Sequence, residues 1–136
     1  MRKSVWFVIL IVLLLLLAGC GAANVDQAKT QFCSDWNALG AAIQNAKALN
    51  ENSTIDQAKD AQNQVAQAWD KAKNSAAQLQ DVQLEATEDA YNAMTQTINS
   101  VPNEATLGQA SAAVQASVNG FETAYTAINT TVCVAP

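Results

Sequence analysis

The chain has 136 residues, a formal net charge of −5 and no histidine, enough for one domain and not two. Apart from Arg2 and Lys3, its only cations are Lys29, Lys47, Lys59, Lys71 and Lys73, so from Cys20 onward there is no arginine and the charge is −7. Nucleic acid is a poor partner for such a chain, because phosphate binding draws on cations that displace counterions. The missing histidine disfavours most hydrolase chemistry and zinc binding. The chain is therefore expected to be no enzyme, with no catalytic residue, metal site or cofactor.

The first element is Arg2 and Lys3, then fourteen apolar residues from Val5 to Ala18, then small residues. This is the three-part plan of a secretory signal peptide. The run is short of the roughly 20 residues a membrane span needs, unless it continues through Cys20 to Ala23. It ends in Leu17-Ala18-Gly19-Cys20. That ending resembles the lipobox of bacterial lipoproteins. The resemblance implies cleavage between Gly19 and Cys20, a diacylglycerol thioether on Cys20, and an acylated membrane anchor. Residues 1–19 are then the signal peptide, 20–23 a short linker, and 24–136 a helical bundle domain. Positive charge before the apolar run keeps that end inside, so the domain lies outside the cytoplasm. It would sit on the outer face of the cell membrane or, with Gly21 in place of aspartate, on an outer membrane. An ordinary signal peptide and an uncleaved anchor remain the alternatives.

The remaining elements read as helices. Alanine and glutamine dominate, and no glycine or proline lies between Gly40 and Pro102. The first stripe is Val25, Ala28, Phe32, Trp36, Leu39, Ile43 and Ala46, with Asn24 and Gln27 as a capping pair. Leu49 to Thr54 is a polar turn, and Thr54 with Gln57 opens the next helix. Its stripe is Ile55, Ala58, Ala61, Val65, Trp69, Ala72, Ala76 and Leu79. The phase then slips to Leu84, Tyr91, Met94, Ile98 and Val101, with Asp81 as the expected cap. Ser100 to Thr106 is a break, and Thr106 with Gln109 is a third capping pair. The last stripe is Leu107, Ala110, Val114, Ser117, Phe121, Tyr125, Ile128 and Val132. Gly108 and Gly120 interrupt this helix and are expected at close helix contacts.

The expected fold is all-α, an antiparallel four-helix bundle, with three helices and one long central helix as the alternative. If Cys20 carries lipid, Cys33 and Cys133 remain, and an even remainder outside the cytoplasm reads as a disulfide. It would close a loop of about 100 residues, worth roughly 4–5 kcal/mol in the chain-entropy model. Free buried thiols are the other reading. Up-down-up-down order brings both cysteines to one pole. Residues 25–32 would then project toward the membrane.

Cys33-Ser34-Asp35-Trp36 with Cys133 also resembles small exported helical proteins of unknown function from actinobacteria, a likeness that implies no activity. Asp81, Glu85, Glu88 and Asp89 cluster at helical spacing, a pattern that suits a helix's positive end better than a cation site. Trp36, Trp69 and Tyr125 are candidates to line a ligand pocket between helices, although such aromatics usually form core. The function expected is a membrane-anchored lipoprotein acting as a non-enzymatic envelope interaction or structural module. Its partners would be the membrane, through Cys20, and an envelope protein or cell-wall polymer. The alternative is a lipoprotein holding a small apolar ligand in its bundle.

Overall fold

The computed structural model describes residues 20–103 and 107–134, and side chains from residue 24 onward except that of residue 109. Among these residues four α-helices follow one another: α1 (Cys20–Lys47), α2 (Ile55–Ala76), α3 (Glu85–Asn99) and α4 (Leu107–Ile128). A π-helical turn, Asn129–Cys133, extends α4. The α1–α2 and α3–α4 pairs pack as hairpins, and α1–α4 and α2–α3 contacts close the ring. This is an antiparallel four-helix bundle. The chain between Ala76 and Glu85 is not helical, so the single long central helix is not formed. Among the described residues no helix is long and apolar enough to cross a membrane. The segment 1–19, with its apolar run and Leu17-Ala18-Gly19, lies outside the described residues.

Helical periodicity places one face of each helix inward. On α1, Ala28, Phe32, Trp36, Leu39, Ile43 and Ala46 are all buried. Val25 is the exception at 58% exposed. Because α1 already begins at Cys20, Asn24 lies inside the helix and Asn24–Gln27 does not cap its start. Of residues 25–32, the first three are exposed and the segment is only partly covered. Ala28 and Phe32 are buried, and the π-helical turn packs against α1.

On α2 the stripe is buried as its spacing predicts, from Ile55 to Ala76. The Thr54 hydroxyl accepts from the Gln57 N–H at 3.2 Å. The Gln57 side chain accepts from the Thr54 N–H at 2.9 Å, completing the capping box. Buried Ser75 satisfies its hydroxyl locally, donating to the Lys71 and Ala72 carbonyls at 3.1 Å.

The start of α3 corrects the expectation for Asp81. The cap position is Leu84, in helical geometry and without a side-chain hydrogen bond. Leu79, Val82 and Leu84 pack against the core, which holds the connection across the end of the bundle and delays the helix until Glu85. Glu85 and Glu88 then meet the positive end of the dipole. Thr87, outside the expected stripe, is buried with Met94 and Ile98.

On α4 the buried residue is Val118 rather than Ser117, whose hydroxyl donates to the Val114 carbonyl at 2.8 Å. Among the described residues nothing lies within 4 Å of a Cβ placed on Gly120, so this glycine marks no close helix contact there. The Thr106–Gln109 pair lies outside the described residues.

Candidate functional site

The pole where α1 begins and α4 ends carries the chemistry that the sequence singles out. Cys33 and Cys133 form a disulfide there, with Cα atoms 5.4 Å apart and 100 residues between them. Cys33 is fixed by α1, one turn before Trp36. Cys133 is fixed by the π-helical turn, whose N–H bond from Val134 to the Asn129 carbonyl spans 3.0 Å. Both sulfurs belong to half-buried residues.

An aromatic layer lies immediately inside. Trp36 packs against Phe32, Trp69 and Tyr125, with ring centroids 5.2, 6.2 and 5.3 Å away. Trp69 also stacks on Tyr91 at 5.6 Å and meets Phe121 edge-on at 6.0 Å. Trp36 Nε1 donates to the Tyr125 carbonyl at 3.3 Å. Trp69 Nε1 has no partner among the described residues. The Lys73 ammonium sits 5.7 Å from the Trp69 ring centroid, within cation–π range. Burial pushes the Tyr125 hydroxyl above its ordinary pKa.

The expected pocket residues Trp36, Trp69 and Tyr125 are thus brought together, but against one another. Trp36 and Trp69 are completely buried, and their neighbours' rings occupy the space between the helices. Gly40 makes this possible. A Cβ there would stand 2.7 Å from Tyr125 Cζ and closer still to its hydroxyl oxygen. The glycine lets the Tyr125 ring lie on the α1 backbone. A lone glycine four residues after a stripe tryptophan is the sequence signal for such an approach, and it was not among the expected close contacts.

A groove of about 560 Å³ opens at the pole, outside the aromatic layer. Val25 and Lys29 of α1 form one wall, residues 78–82 of the α2–α3 connection another, and Thr131 and Val132 the third. Its apolar side chains are Val25, Leu79, Val82 and Val132. Sequence periodicity assigned three of these to core stripes and left Val82 unassigned. The groove appears only because three segments distant in sequence end at the same level.

The acidic residues Asp81, Glu85, Glu88 and Asp89 are all exposed. Glu88 lies 3.8 Å from Lys73, which also approaches Asp70 at 3.8 Å. No group of three metal-ligating side chains occurs among the described residues. Between α4 and α1, Glu122 accepts from Lys47 at 2.6 Å and from Gln44 at 2.8 Å. The Lys47 bond first, and the Gln44 bond second, hold the Glu122 carboxyl below the ordinary glutamate range.

Cys20 is the first residue of α1, so the backbone of the expected lipidation site belongs to this same pole. Gly19, the other side of the expected cleavage, lies outside the described residues. Comparison with known protein families, with curated proteins and with solved structures finds no match to this chain.

Proposed function

We propose that this protein is an exported bacterial lipoprotein, held to a membrane through lipid on Cys20, and that its bundle is a non-enzymatic interaction or structural module of the cell envelope. The observation that carries this reading is Leu17-Ala18-Gly19-Cys20 at the end of a fourteen-residue apolar run preceded by Arg2 and Lys3. The Cys33–Cys133 pair agrees with it, because structural disulfides persist in oxidising compartments. Acylation with two or three chains makes attachment stable, where a single chain does not. The module reading draws on composition: the residues from Cys20 onward include neither histidine nor arginine. Such a domain offers partners a polar helical surface rich in glutamine, asparagine and threonine. An envelope protein or a cell-wall polymer is the partner class it suits.

The test is the intact mass of protein extracted from membranes, with and without reduction and alkylation. The expected species begins at Cys20, carries diacylglycerol or three acyl chains, and shows two thiols only after reduction. A mass retaining residues 1–19 with an unmodified Cys20 overturns the anchor. Crosslinking in intact cells then addresses the module. Recovery of no envelope component above background counts against it.

A further inference from the structure

We infer that the disulfide pole is a docking face for a lipid bilayer with uncharged headgroups, and that Val25, Leu79, Val82 and Val132 are the side chains that meet it. The inference rests on the lipid anchor at Cys20 proposed above. Three observations lead to it. First, α1 runs without a break from Cys20 into the core, so no flexible linker separates the attachment point from the domain. Five residues of helix raise Val25 only about 7.5 Å above Cys20. A leaflet's headgroup layer is about 5–7.5 Å thick, so Val25 lies at its outer edge when α1 stands upright and within it when α1 leans. Second, the large hydrophobic residues exposed among those described are Val25 at 58% and Val134 at 56%, and both belong to this pole. Third, the groove is a notch between the start of α1, where residues 24–27 are all exposed, and the α2–α3 connection. Leaning the domain toward that connection closes the notch against the bilayer.

Charge decides the kind of surface. Asp81 lines the groove opposite Lys29, and Asp26 is exposed beside Val25 on α1. The face therefore has no surplus of cations with which to attract anionic lipid. Its contact is apolar, through side chains that settle at the headgroup boundary.

The experiment uses the lipidated protein purified from membranes and reconstituted into phosphatidylcholine vesicles with brominated acyl chains. Gln80→Trp places a reporter at the groove, and Glu51→Trp places one at the opposite pole; both positions are exposed. The native Trp36 and Trp69 supply the background. The expected result is that bromolipid quenches the Gln80→Trp signal at least twofold and leaves that of Glu51→Trp unchanged. Adding Val25→Asp abolishes the quenching while the protein still floats with the vesicles. Raising the fraction of anionic lipid weakens the quenching at low salt. Flotation with an unquenched Gln80→Trp overturns the docking and leaves the anchor standing. Failure to float overturns the anchor, and the docking falls with it.

Discussion

The two halves of this bundle are held by different means. The half nearest Cys20 contains every aromatic residue that follows the apolar run: Phe32, Trp36, Trp69, Tyr91, Phe121 and Tyr125. A disulfide closes its end. The far half is aliphatic, with Ile43, Ile55, Ala58, Ile98, Val101, Leu107 and Val114 in its core. Hydrogen bonds close that end. The Thr54 capping box starts α2, the Leu107 N–H donates to the Ser53 carbonyl at 3.4 Å, and Lys59 donates to Asn103. The contrast follows from side-chain volume. Branched aliphatic side chains suffice to fill the far half. The near half is filled by rings, and a groove opens at its end.

The covalent closure is the largest difference between the halves. Cys133→Ser is expected to cost about 4–5 kcal/mol, the chain-entropy value for a loop of this length. Denaturant titration measures it, and wild type in reductant should reproduce the variant. Hydrogen exchange sharpens the point: protection should fall first at residues 129–134, while amides around Ser53 and Leu107 keep theirs. Equal loss at both poles would show that the halves do not open separately.

The ring layer comes next. Trp36→Ala removes a completely buried indole and the contacts it makes with three other rings, at about 3–5 kcal/mol. Ile98→Val in the far half should cost only about 0.5–1.5 kcal/mol. If the two losses proved similar, the aromatic layer would not be the main prop of its half.

Gly40→Ala tests the close approach beneath Tyr125. Overpacking there should cost about 1–3 kcal/mol. The cost should shrink when Tyr125→Ala is already present, a coupling that a double-mutant cycle reads directly. Additive losses would mean that the ring moves aside freely.

Of two smaller effects, the first belongs to the far half and the second joins α4 to α1. Thr54→Ala removes the capping oxygen and should lower stability by about 1 kcal/mol. Glu122 has a depressed folded-state pKa, so its ion pair contributes fully above the ordinary value of 4.5 and is lost as pH falls through the lower folded value. Because the pair is partly open to solvent, the contribution is below about 1 kcal/mol. Comparing acid titrations of wild type and Lys47→Gln isolates it. An identical acid limb in both would show that the bond between them adds nothing.

Much of this architecture is legible along the chain, and the exceptions share one cause. The α2 stripe and its Thr54–Gln57 box are local patterns, set within a few turns, and both are present. Val25 continues the α1 stripe in phase, yet it is exposed because no other element among the described residues packs over it. Periodicity favours Ser117 and Val118 almost equally on α4, and the docking of α4 on its neighbours selects Val118. Asp81 is a good cap by residue type. Three apolar side chains packing onto the core carry the chain past it and start α3 later.

By itself, then, the sequence determined the helical class, most of the inward faces and the turns around Asn50 and Pro102. Each of these depends on residue propensity or on a 3.6-residue period. Tertiary structure alone decided that Gly40 rather than Gly120 is the close-contact glycine, that the three expected pocket aromatics fill their own space, and that a groove forms beside Val25. Those outcomes depend on distances between helices, and such distances arise only when side chains far apart in the chain compete for one volume.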